Sequence, residues 1–163
     1  MARNPGRPRS RAGGAAALAL TVLLAGCGSV QELDPQEAES HYDAVIADVQ
    51  AALGHELVHA PATRSFESEG GECLFTPGGY EADGLGAELG VEENWDPVLE
   101  SLDPVLEEHG FEALGREQSS GGDLWLEAEG PHGSRLLVHA DGVMRLTDVL
   151  VDADPCEDTT LGL

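Results

Sequence analysis

The chain has 163 residues, with 31 acidic residues against 8 basic ones, no Lys, and a formal net charge of −23. A surface this acidic repels nucleic acid and anionic lipid headgroups, which all but excludes a nucleic-acid partner and any membrane contact through a basic patch. The length suits one domain with its own core and not two.

The first thirteen residues hold Arg3, Arg7, Arg9 and Arg11 and no acid, and a largely apolar run from Ala15 to Ala25 follows. A basic start, a short apolar stretch and small residues at its end make an export signal. The run is shorter than the about 20 residues that span a bilayer, so no transmembrane helix is expected once the signal is gone. No Arg-Arg pair occurs, so nothing supports the twin-arginine route. The run closes on Leu24-Ala25-Gly26-Cys27, which resembles the lipobox of bacterial lipoproteins. That resemblance implies removal of signal residues 1–26, a diacylglyceryl group on Cys27 with palmitate-type chains, and a lipid-anchored protein on the extracytoplasmic face of the cell membrane. More than one acyl chain is what makes such an anchor firm, because one chain alone binds marginally.

The mature chain would keep Arg64, Arg116, Arg135 and Arg145 against all of the acids. With Cys27 committed to lipid in an oxidising compartment, Cys73 and Cys156 are the remaining possible pair. No Cys-x-x-Cys is present, which favours a structural disulfide over a redox dithiol. Such a bridge would close a long loop, worth at most about 4.5 kcal/mol in the loop-entropy model. No Asp-x-Asp-x-Asp-Gly loop marks a calcium site.

Residues 27–33 form a lipidated tether of about 20 Å at full extension, which places a single domain, 34–157, close to the membrane. Asp34-Pro35-Gln36-Glu37 opens a helix with a cap, a proline at the first position and a capping-box acid. Ala38, Tyr42, Val45, Ile46, Val49 and Leu53 recur at helical spacing, and Gly54 terminates. Leu57 to Phe66 reads as extended, with Pro61 breaking any helix. Ser68 to Gly71 reads as a turn and Glu72 to Thr76 as a strand carrying Cys73. Pro77 to Gly90, with five Gly and one Pro, reads as a loop.

Trp95, Val98, Leu99, Leu102, Val105, Leu106 and His109 share one face of a second helix that Pro104 should kink or split and Gly110 should end. Phe111 to Gln118 is a weak strand, Ser119 to Gly122 a turn, Leu124 to Glu129 an alternating strand and Gly130 to Ser134 another turn. Arg135 to Ala140 and Val143 to Val151 flank Asp141-Gly142, a hairpin signal. Met144, Leu146 and Leu150 would share a face, Cys156 follows the last strand, and 158–163 is a frayed tail. These elements predict an α+β fold in which two helices pack on one face of a mostly antiparallel sheet, tied by one disulfide.

The lipobox at Leu24 to Cys27, the helix from Tyr42 to Leu53, Cys73, the Trp-led helix from Trp95 to Phe111 and the last strand from Val143 to Cys156 together resemble small actinobacterial lipoproteins of the LppA-like kind. The resemblance covers most of the mature chain and implies a cell-envelope location. It transfers no catalytic residue.

One motif invites an enzymatic reading. His55-Glu56-Leu57-Val58-His59 has the H-E-x-x-H pattern of zinc proteases, in which a helix brings two imidazoles to one metal and the Glu activates bound water. The flanks argue otherwise. Gly54 precedes the motif and Pro61 follows it, so the predicted helix stops before His55, and in extended chain the two His stand about 13 Å apart. The longer metzincin pattern wants Gly and His where Ala62 and Ser65 stand, and no third ligand is marked. The competing expectation is a helix end running into a strand with both His at the surface. His109, His132 and His139 read as scattered: one at a helix end, one in a turn, one on a strand facing water. Ser119-Ser120 lacks the flanks of a nucleophile elbow. Glu92-Glu93 and Glu107-Glu108 are adjacent pairs that do not face each other on a helix. Trp95 and Trp125 are expected in the core. The sequence therefore predicts a non-enzymatic envelope module that presents a sheet face or loop to a protein, glycan or small ligand, with no cofactor. The alternative is a zinc-dependent hydrolase using His55, Glu56 and His59, and a spacer near the wall is a third.

Overall fold

The computed structural model describes residues 30–89, 95–118 and 124–158. Cys27, the Ser119–Gly122 turn, Glu92-Glu93 and the last five residues lie outside them. Among the described residues no helix is long and apolar enough to cross a membrane.

Helix α1 spans Pro35–Leu53. The Asp34 carboxylate accepts from the amides of Gln36 and Glu37 at 2.9 and 3.3 Å, satisfying donors that a helix start otherwise leaves open. Gly54 takes the left-handed conformation and returns its amide to Gln50, which ends the helix. Ala38, Tyr42, Val45, Ile46 and Val49 bury one face. Strand β1 (Leu57–Ala60) leads through a single 3₁₀ turn at Pro61–Thr63 into β2 (Ser65–Glu69), β3 (Glu72–Thr76) and β4 (Gly78–Ala82).

A five-residue helix α2 (Leu85–Leu89) precedes α3, Trp95–Glu108. Pro104 sits inside α3 without splitting it. The remaining strands are β5 (Gly115–Gln118), β6 (Leu124–Glu129), β7 (Arg135–His139), β8 (Val143–Thr147) and β9 (Val149–Val151). A second 3₁₀ turn, Pro131–Gly133, joins β6 to β7. Residues 111–114 are irregular where a strand was expected, and they bury Phe111 and Leu114.

The strands pair antiparallel in two sheets, β1-β4-β8-β7-β6-β5 and β2-β3-β9. The fold is thus α+β, with helices against antiparallel sheets and the Cys73–Cys156 disulfide joining β3 to the segment after β9, Cα atoms 5.6 Å apart. Two expectations are corrected. Gly78–Ala82 is no loop: it is strand β4 between β1 and β8. Its glycines answer a packing need, since a Cβ on Gly78 would collide with the His59 ring. The run from Val143 to Val151 is two strands and not one. Asp148, at φ 65°, turns the chain from the larger sheet into the smaller, and its carboxylate accepts from Arg135 Nε at 2.7 Å and Thr147 Oγ1 at 2.9 Å. Beyond it Val149 and Val151 face the core, so Leu150 does not share a face with Met144 and Leu146.

One core unites the structure: Tyr42, Val45 and Val49 of α1, Trp95, Leu102 and Leu106 of α3, and Leu126, Leu136, Val138, Met144 and Leu146 of the larger sheet. Leu33, the last residue of the expected tether, joins this core and bridges in parallel to Val151.

Candidate functional site

The H-E-x-x-H residues occupy a turn and a strand. With α1 ended at Gly54, His55 lies before β1 and His59 within it. His55 Nδ1 is 3.1 Å from the Asp83 carbonyl oxygen, whereas the His59 ring lies tilted against that of Tyr80, its cross-strand neighbour, with centroids 5.1 Å apart. The two rings thus make separate contacts along the β1–β4 ladder, and the helix that would turn both toward one metal is not there. Nor are both at the surface as expected: each is half-buried, and His59 Nε2 is buried without a hydrogen-bond partner. Among the described residues no three His, Cys, Asp or Glu side chains are grouped to hold a metal ion.

Two of the three histidines that read as scattered in sequence, His109 and His132, are brought together with one that the sequence did not single out. His41 on α1 stands edge-on to His109 at the end of α3, ring centroids 6.0 Å apart, and edge-on to His132 in the Pro131–Gly133 turn at 6.4 Å. His109 Nε2 lies 2.9 Å from an Asp48 carboxylate oxygen. His132 Nδ1 lies 2.6 Å from the Gln31 carbonyl oxygen, tying the turn to the N-terminal segment. Tyr42 donates to the Pro131 carbonyl at 2.9 Å from beneath. Of these three rings, His41 is the one left with a buried, unpartnered Nε2. The sequence carried one usable signal for this meeting: His41 sits next to Tyr42 on the helix and so at the margin of its buried stripe.

Beside the cluster, Val30 and Gln31 face residues 129–135 across a cleft of about 580 Å³. A second cleft, about 450 Å³, opens where β6 meets β7, lined by Leu124, Trp125, His139, Ala140 and Asp141. Trp125 and His139 are directly opposed across the strands, with rings 6.2 Å apart. Both are half-buried, and they alternate with the core residues Leu126 and Val138, which puts them on the face of the sheet turned away from α1 and α3. Trp95 meets the expectation of a core tryptophan at 2% exposure; Trp125 does not. Its indole nitrogen donates to Glu127 at 3.2 Å. Arg145 is exposed on that same outer face, two residues along β8 from Val143. The other three arginines of the domain are engaged: Arg64 with Glu39 and Asp43, Arg116 with Asp96, and Arg135 with Asp148 and Glu127.

Comparison with known proteins gives no match: no family model, no curated protein and no solved structure.

Proposed function

We propose that the chain is a cell-envelope lipoprotein, anchored through Cys27 to the membrane on its extracytoplasmic face, whose single domain works as a non-enzymatic binding module. The observation that carries this reading is the disulfide between Cys73 and Cys156 in a chain that begins with an export signal and a lipobox, because such a bond persists in oxidising compartments. Two further features support it. Leu33 is packed into the core only a few residues after Cys27, which keeps the domain near the membrane surface. The outer face of the larger sheet displays Trp125, His139 and Arg145, an aromatic and cationic set in a strongly acidic chain, suited to an envelope protein, glycan or small ligand.

The test is fractionation of cells that express the full chain or Cys27→Ala. The wild-type protein stays with membranes through a high-salt wash, which removes proteins held by charge. The variant leaves the membrane fraction. Equal distribution of the two contradicts the anchor, and turnover of an envelope substrate, lost on changing one residue, contradicts the non-enzymatic half.

A further inference from the structure

His41, His109 and His132 come from three different elements and meet where the N-terminal segment crosses the body of the fold. Each outer ring has a partner: Asp48 for His109 and the Gln31 carbonyl for His132. The central ring has none for its buried Nε2. We propose that the three histidines form an acid-operated latch, holding Val30–Leu33 and the Pro131–Gly133 turn against α1 while the central His41 ring is uncharged and releasing them when that ring takes a proton.

His109 is paired with Asp48, and His132 donates to the Gln31 carbonyl. A proton on His41 would place a charge on a half-buried ring whose Nε2 has no hydrogen-bond partner. Burial, then His109, then His132 push it below the ordinary imidazole range, and only Glu37 pulls the other way. The groups that face it are therefore Glu37 and the Tyr42 ring on α1, His109, itself paired with Asp48, at the end of α3, and His132 on the turn. Tyr42 remains neutral in acid, since burial pushes it up to about 12. The folded value of His41 lies beneath its unfolded one, so the closed cluster binds protons more weakly than an opened one. Its stability is complete above the ordinary imidazole range and is lost as pH falls through that range and below.

The part that yields is the turn. His132 holds a left-handed backbone, φ 58° and ψ 27°, which residues other than glycine seldom adopt, so the turn depends on its contacts to stay there. Those contacts are the His132–Gln31 bond and the Tyr42–Pro131 bond. With the turn displaced, the described N-terminal segment keeps the Leu33 bonds, its amide donating to Leu150 at 3.1 Å and its carbonyl accepting from Asp152 at 2.8 Å. The latch operates whether or not Cys27 carries lipid.

Amide hydrogen exchange on the full chain, corrected for intrinsic rates, reads those two bonds directly. From about pH 7.5 to about pH 5.5 the protection of the Leu33 and Asp152 amides should fall several-fold, and His41→Gln should lose most of that dependence. A nuclear magnetic resonance titration supplies a readout that a merely structural role would not move. In His132→Asn, with asparagine tolerated in the left-handed region, His41 should titrate at higher pH than in the parent. Equal protection at the two pH values, a His41→Gln protein with the parent's pH dependence, or an unmoved His41 titration in His132→Asn would each overturn the latch. Circular dichroism checks that the variants fold. If His41→Gln does not, the exchange of the parent and the His132→Asn titration decide.

Discussion

Tyr42 shows how one side chain sets the position of a loop far away in sequence. Its ring is fully buried in the face of α1, and its hydroxyl reaches the Pro131 carbonyl at 2.9 Å. The phenol is neutral when folded, and burial raises its pKa to about 12 from the 10 of a free tyrosine. A folded value above the unfolded one means stability that is complete below about pH 10 and is lost as pH climbs toward 12. Thermal melts across that alkaline window should show Tyr42→Phe losing less stability than the parent as pH rises, at the cost of about 1 kcal/mol at neutral pH for the missing hydrogen bond. Parallel loss in both proteins would contradict this role. Arg64 does comparable work in the opposite chemistry: with its side chain 13% exposed, it pairs with Glu39 and Asp43 of α1 and donates from Nε to the Pro77 carbonyl at 2.9 Å. It fastens the helix to the turn between β3 and β4. Neither role was legible in the sequence, because both depend on a partner brought in by the fold rather than by spacing. The same holds for His41, His109 and His132.

At the scale of elements, local rules served well where the chain obeys them and failed where a distant neighbour overrides them. Asp34, Pro35 and Gly54 bound α1 as their capping chemistry dictates. The Asp141-Gly142 turn closes β7 onto β8, with Val143 donating to the Asp141 carboxylate at 3.1 Å. The glycines of residues 77–90 misled because glycine marks close approach as well as turns: Gly78 makes room for the His59 ring, and a Cβ on Gly86 would collide with the Asp141 carbonyl. Asp148 was unmarked because its left-handed backbone is held by Arg135 and Thr147 on its own sheet, which no window of sequence reveals. The Asp158 carboxylate accepts from the Phe66 amide at 2.8 Å. The disulfide ties this end of the chain to the smaller sheet. Replacing Cys73 and Cys156 together by Ala should lower the unfolding free energy by up to about 4.5 kcal/mol, the loop-entropy ceiling for so long a loop. Urea denaturation measures it, and an unchanged midpoint would contradict the clasp.

The whole molecule is an acidic domain fastened by its N-terminal segment. With a net charge of −23, its surface offers no attraction to an anionic membrane, so the proposed envelope location would need the covalent lipid. The segment Val30–Leu33 is built into the body through Leu33 and through His132, so the domain would lie against the membrane and not swing from a long linker. Under the proposed anchoring, the outer sheet face with Trp125 and His139 would be a surface held at a fixed height above the bilayer. This account rests on the chemistry of one residue. Mass spectrometry of the mature N-terminal peptide, isolated from the envelope of expressing cells, tests it most directly. The account predicts a chain that begins at Cys27 and carries the mass of a diacylglyceryl group. A chain that begins elsewhere, or an unmodified Cys27, would contradict it.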